Sequence, residues 1–115
     1  MCAEGRSQGA APAPIGPYSG QIGLDGRTGE LVAGGVREEA RRALDNLGHV
    51  LREAGLGFGE VVKTTVYLVD LAEFTAVNEI YAEFVRPPYP ARATVGVAAL
   101  PRGARVEIEA IARHR

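Results

Sequence analysis

Apolar residues recur along this chain in two rhythms, one of steps of three and four and one of steps of two. Val36, Ala40, Leu44, Leu47, Leu51 and Ala54 keep the spacing of a helix with one buried face. Glu38 and Arg42 sit four apart on its polar side, and Gly55 supplies a stop. Asp70 with Glu73 three residues on has the form of a capping box, and Phe74, Val77, Tyr81 and Phe84 then make a second helical stripe. Pro87, Pro88 and Pro90 forbid its continuation. Residues 61–69 alternate as a strand, with Val62, Thr64, Val66 and Leu68 on one face and Lys63, Thr65 and Tyr67 on the other. Residues 91–98 and 105–112 read as two strands joined by a turn at Leu100, Pro101, Arg102 and Gly103. Shorter extended pieces are expected at 21–24 and 30–33, around the turn signals Asp25-Gly26 and Thr28-Gly29.

The order is therefore strand, helix, strand, helix, strand, strand, an α+β pattern. Two helices with one apolar face each should cover one side of a mostly antiparallel sheet. The other side of the sheet also carries apolar residues, and in so short a chain a second subunit is the expected cover. Residues 1–14 lack periodicity and are expected to be a loose arm on a single domain of residues 15–115.

Composition narrows the function classes. The 115 residues suffice for one domain, and no apolar run approaches the ~18 residues of a membrane span. No signal-peptide core is present near the N-terminus. Cys2 is the sole cysteine, which excludes a disulfide framework and a thiolate metal cluster. A net charge of −1, from 13 basic and 14 acidic residues, gives no footprint for nucleic acid or anionic lipid. A cytoplasmic protein working on small molecules is expected, without nucleic acid or membrane as partner. Several motifs fail on inspection. Gly20, Gly23, Gly26 and Gly29 recur every third residue but are too few, and without proline, for a triple helix. Lys63-Thr64 lies in a strand pattern and not after a glycine-rich turn. His49 and His114 have no metal-spaced partner, and Ser19 lacks a nucleophile-elbow context. No metal and no cofactor are expected.

What remains is charge placed inside strand patterns. Arg92 opens one strand, and Glu107 and Glu109 lie in the middle of VEIEAIA. These residues suit a structural ion pair or a solvated face. They equally suit an arginine fork for a substrate carboxylate beside a carboxylate that moves protons. Spacing leaves both open, because the register decides whether Arg92 and Glu107 share a face.

The segments APIGPYS (13–19), SGQIGLDGRTGEL (19–31), ALDNLGHVLREAGL (43–56), VVKTTVYLVDLAEFTAVNEIYAEF (61–84), YPARATV (89–95) and ALPRGARVEIEAIA (99–112) together resemble the RidA/YjgF family of reactive-intermediate deaminases. The resemblance runs from about residue 13 to the end. It implies a chorismate-mutase-like α+β fold and a homotrimer with inward-facing sheets and clefts between subunits. It also implies hydrolysis of enamines and imines (2-aminoacrylate, 2-iminopropanoate, 2-iminobutanoate) to 2-keto acids and ammonia.

Matched motif by motif, Arg92 in P-A-R would clamp the substrate carboxylate, and Glu107 would position and activate water. Tyr18 in GPYS would line the cleft as a catalytic residue. Ser19 and Thr94 would contact substrate, Thr94 mainly through its backbone carbonyl, in a position where many members carry cysteine. Glu109 would face the same side as Glu107 in a structural pairing. One departure stands out: Tyr18-Ser19 runs directly into Gly20-Gln21, where the family has about a strand and a turn more. A shortened first sheet region and a displaced Tyr18 are the expected consequences. Two other functions compete with the deaminase: a non-catalytic trimeric module binding small carboxylates, and a ribonuclease or translation inhibitor, which the near-neutral charge disfavours.

Overall fold

The apolar stripe of residues 36–54 becomes a helix, α1 (Val36–Glu53), whose buried face carries Val36, Ala40, Ala43, Leu44, Leu47 and Leu51. The computed structural model describes residues 15–114, with side chains from Gly20 onward. The arm expected at 1–14 lies outside the described residues. Gly55, at φ 79°, ends α1. Leu56 N–H reaches the Leu51 carbonyl at 2.8 Å and Gly55 N–H the Arg52 carbonyl at 2.9 Å. This pair of bonds satisfies carbonyls that the helix leaves unpaired, and the left-handed backbone it needs suits glycine.

The second helix, α2 (Phe74–Phe84), follows a single 3-10 turn at Leu71–Glu73. Asp70 caps that turn, accepting from Ala72 N–H at 2.9 Å, so the expected cap exists but opens the turn and not α2 itself. Val77, Ile80 and Tyr81 are the buried residues of α2. Phe74 is 40% exposed, a correction to the expected stripe: it stands at the first position of α2, where its ring lies beside the Arg92 guanidinium.

Four strands form one sheet in the order β1-β4-β2-β3. They are β1 (Ile15–Gln21), β2 (Val61–Leu68), β3 (Ala91–Gly96) and β4 (Val106–Arg113). The β1–β4 and β4–β2 pairs are antiparallel and β2–β3 is parallel. The sheet is thus mostly antiparallel, but the expected pairing of the last two strands does not form. Helix α2 carries the chain back to the start of β2, so β3 joins β2 in parallel at the sheet edge. Arg102 and Gly103, at φ 62° and 71°, then help turn the chain toward the far side of β2. Burial explains the sorting. Val106, Ile108, Ala110 and Ala112 of β4 are all buried and need an interior position, whereas β3 has no buried residue and suits an edge.

Two further expectations are corrected. The first strand occupies Ile15–Gln21; the pieces expected at 21–24 and 30–33 reduce to a single bridge between Leu24 and Leu31. The shortened junction is closed by running β1 straight through Ser19-Gly20. Tyr18 pairs with Ala110 and Gln21 with Ile108, so a bulge absorbs one extra residue. In β2, an irregularity between Val61 and Lys63 takes Val62 out of register, and it is 40% exposed instead of joining Thr64, Val66 and Leu68.

Both helices pack on one sheet face, where the leucines of α1 and Val77 and Ile80 of α2 meet Val66, Leu68, Val106 and Ile108 in a single core. Each of these large side chains contributes about 1.5–3 kcal/mol by leaving water. Glu39, fully buried on α1, ties that layer to the start of β4. Its carboxylate accepts from the Arg105 backbone N–H at 2.8 Å and from the Arg105 guanidinium at 2.7 Å. Glu39→Ala is expected to cost about 1–3 kcal/mol, since a backbone donor loses its acceptor. Arg105→Ala should cost at least as much, because it leaves the buried Glu39 carboxylate without its counter-charge. Urea unfolding midpoints check this; a much smaller loss for Arg105→Ala would place the energy in the backbone hydrogen bond.

Candidate active site

Arg92 reaches its place because β3 runs parallel to β2. The register sets it opposite Thr64, a buried residue of the helix-covered face. There its guanidinium stands 4.8 Å from the ring centre of Tyr81 and 5.3 Å from that of Phe74. Its Nη1 donates to Asn78 Oδ1 at 2.6 Å. Phe74, Asn78 and Tyr81 are spaced four and three apart and so share one face of α2. Tyr81 is itself fixed by a 2.7 Å hydrogen bond between its hydroxyl and Thr64 Oγ1. Cation–π contacts at exposed sites contribute about 0.5–1 kcal/mol each, and they hold a flexible side chain in one orientation. Thr94, two residues further on, pairs with Val66 on the same face and is half-buried. Sequence reasoning missed Asn78 and the two rings as partners of Arg92; their shared helical face was the available signal.

Glu107 lies on the opposite face, the one no helix covers. It pairs with Tyr67 across the β4–β2 ladder, and Glu109 pairs with Thr65. Tyr67 donates its hydroxyl to Glu109 Oε1 at 2.5 Å. That bond, with burial and the charge of Glu109, pushes the Tyr67 phenol above its ordinary value. Burial, seconded by the negative charge of Glu109, raises the Glu107 carboxyl. Gly20 of β1 makes room for it: a Cβ there would collide with Glu107 Oε2. Gly20 is a further residue that sequence reasoning missed as part of the site, and nothing local in the sequence marks it.

The two charged residues are therefore not brought together within one chain. Arg92 and Glu107 stand on strands either side of β2, about 10 Å apart laterally, and project from opposite faces. Tyr18 holds the register position of Ala110, and it is Gly20 that borders Glu107. The side chains of Tyr18 and Ser19, and with them the expected displacement of Tyr18, lie outside the described residues. A hollow of about 340 Å³ lined by Val32, Glu38, Arg41, Arg42, Asp45 and Phe84 includes neither Arg92 nor Glu107. Among the described residues, no three His, Cys, Asp or Glu side chains are grouped to hold a metal, and no helix is long and apolar enough to cross a membrane.

The raised carboxyl of Glu107 has a consequence for stability. A carboxyl whose folded pKa exceeds its unfolded value supports folding fully below the unfolded value of 4.5, and that support is lost as pH rises through the folded value. Glu107→Gln cannot ionise, so it is expected to melt above the wild type near neutral pH, with the gap closing as the solution is acidified below the ordinary carboxyl range. Thermal melts across that range check this; a pH-independent gap would contradict it.

Comparison with known proteins agrees with this architecture. A family model described as Endoribonuclease L-PSP matches residues 7–114. The 2-iminobutanoate/2-iminopropanoate deaminase of Mus musculus is 56% identical over 114 residues, covering 89% of this chain and 84% of that protein. RidA from the Antarctic bacterium Psychrobacter sp. superposes with a TM-score of 0.86 at 38% identity, over 99% of this chain and 92% of its own. TdcF of E. coli with bound serine gives a TM-score of 0.83 at 36% identity, over 99% and 91%. With the family model spanning nearly the whole chain and a relative at this identity, the chain belongs to the YjgF/RidA family.

Proposed function

We propose that this protein hydrolyses enamine and imine intermediates of small 2-amino acids to 2-keto acids and ammonia, as a homotrimer in the cytoplasm. The observation that carries the reading is the anchored guanidinium of Arg92, in a chain 56% identical to the mouse deaminase. With Nη1 on Asn78 and aromatic rings beside it, the rest of the fork is available to a carboxylate in bidentate geometry. The serine bound by TdcF carries such a carboxylate.

Water adds to C2 of the protonated imine, and Glu107 accepts the proton that the water loses. The carbinolamine then takes that proton on nitrogen, its C–N bond breaks, ammonia leaves, and the hydroxyl gives up its own proton to the Glu107 carboxylate as the carbonyl forms. An enamine enters the same route after protonation on its β-carbon. Tyr18 and Ser19 of β1 would line the cleft beside Glu107, and Thr94 would offer its backbone carbonyl to the substrate. The opposite faces of Arg92 and Glu107 favour a cleft between subunits, with Arg92 from one and Glu107 from its neighbour. The domain that does this work is residues 15–115, with 1–14 as an arm.

Keto-acid release from a threonine-dehydratase reaction tests the reading. Arg92→Lys replaces a planar fork with a point charge and should lose at least about tenfold, since hydrogen bonds to charged groups contribute about 1.5–3 kcal/mol each. Glu107→Gln should retain binding and lose turnover; unchanged turnover would assign water activation to another group. Arg92→Ala and Glu107→Gln chains, each inactive alone, should regain about a quarter of the wild-type rate when co-assembled at random, because one neighbour pair in four then holds both residues. No recovery would place both residues in the same subunit's site.

A further inference from the structure

Arg92 is an exposed side chain on an edge strand, yet two rings and an amide meet its guanidinium. We infer that Thr64 and Tyr81 act as positioning residues for Arg92, the hydrogen bond between their side chains setting where the guanidinium stands for a substrate carboxylate. The inference rests on the proposed function for its substrate, whereas the bracing of Arg92 is a property of the resting protein.

The contacts close into a loop that begins and ends at Thr64. The β2–β3 ladder sets Arg92 opposite Thr64, which fixes the root of the arginine against the backbone of β2. The far end of the arginine stands 4.8 Å from the ring centre of Tyr81. The Tyr81 hydroxyl then returns to Thr64 Oγ1 at 2.7 Å. Both ends of one side chain are thus referred to the same residue. Thr64 and Tyr81 are buried, so solvent offers their hydroxyls little alternative to each other. Phe74 and Tyr81 lie seven residues apart, about 10 Å along α2, with Asn78 between them. Phe74 has no polar atom to anchor its half-exposed ring, which leaves Tyr81 as the fixed wall beside the guanidinium.

An arginine at the surface samples many rotamers, and holding a carboxylate in bidentate geometry freezes them. A wall that cannot shift leaves less freedom to lose when the carboxylate arrives. With Asn78 on Nη1 and Tyr81 beside the guanidinium carbon, the remaining N–H groups are the ones left for that carboxylate. A phenylalanine at position 81 would supply the ring alone; the hydroxyl adds a fixed distance to a buried partner. In the proposed trimer the neighbouring subunit's Glu107 and β1 would come to the free edge of the guanidinium. Thr64 and Tyr81 lie inside their own chain, so the brace needs nothing from the neighbour.

The experiment follows the Nε–Hε NMR signal of Arg92 in the full chain, identified as the one absent from Arg92→Lys, alongside KM and kcat for keto-acid release. Relaxation of that signal without ligand reports how firmly the guanidinium is held, and its shift on adding acetate reports carboxylate affinity. Tyr81→Phe keeps the ring and loses the anchor; Thr64→Val keeps the shape of threonine and loses the partner. Each should loosen the Arg92 signal and weaken acetate about two- to tenfold, the range of one net hydrogen bond. KM should rise by the same factor, with a smaller fall in kcat. Because both residues act through one bond, the double variant should lose no more than the worse single variant. Thr64→Ser, which restores the hydroxyl, should bind acetate as the wild type does. Melting temperatures report folding, and Tyr81→Phe carries the test if Thr64→Val does not fold. The inference is overturned if the Arg92 signal and acetate affinity stay put in Tyr81→Phe, if the two losses multiply, or if Thr64→Ser loses as much as Thr64→Val. Wild type that does not bind acetate at all overturns it as well. If the pattern holds but no keto acid is released, the brace stands and the proposed reaction falls.

Discussion

The alternation of β4 between two neighbouring strands is the constraint on which the rest of the molecule depends. Val106, Ile108, Ala110 and Ala112 go under the helices, so Glu107, Glu109 and Ile111 must face the other way. A slip of one residue would set two carboxyls against Leu44, Leu47 and Leu51 and turn the apolar row outward. Each carboxyl would then need neutralising or a partner that the helix layer does not hold. The register is held from both sides, by β1 and β2, and at its start by Glu39 on the Arg105 backbone.

From that alternation follows the division of chemistry between two faces. Glu107 sits on a half-buried surface among Tyr67, Glu109 and Gly20, where loss of water and a like charge favour its protonated form. Arg92 sits on the helix side of an edge strand, because the crossover through α2 lays β3 parallel to β2 with Arg92 opposite Thr64. Its charge is kept at the surface by two rings and an amide and is not buried, which spares the large cost of desolvating a guanidinium. In the proposed reaction a site needing both residues would be divided between subunits, with the sheet face left open by the helices as the surface on which they meet.

The closed-up junction after Tyr18 shows how tolerant this arrangement is. With β4 already paired to β2, β1 needs only to cover the remaining edge of β4. A continuous strand does so by absorbing one residue in a bulge, and the glycine that falls beside Glu107 leaves space for its carboxyl. The core is built chiefly from α1, α2, β2 and β4, all beyond that junction, so it is assembled independently of the shortening.

The sequence by itself determined both helices, the glycine stop of α1, the strand character of residues 61–69 and 105–112 to within a residue at their ends, and the family. These depend on periodicity and capping, which are written into neighbouring residues. It also singled out Arg92 and Glu107 as charges out of place in strand patterns. Only the tertiary structure decided that β3 and β4 are not partners, that Val62 leaves its row, and that Arg92 and Glu107 project from opposite faces. It alone placed Phe74, Asn78 and Tyr81 around Arg92, and Tyr67 and Gly20 around the carboxyl pair. The reason is physical: strand order and register are set by contacts between segments distant in the chain, where a shift of one residue reverses every side chain and no local pattern records it.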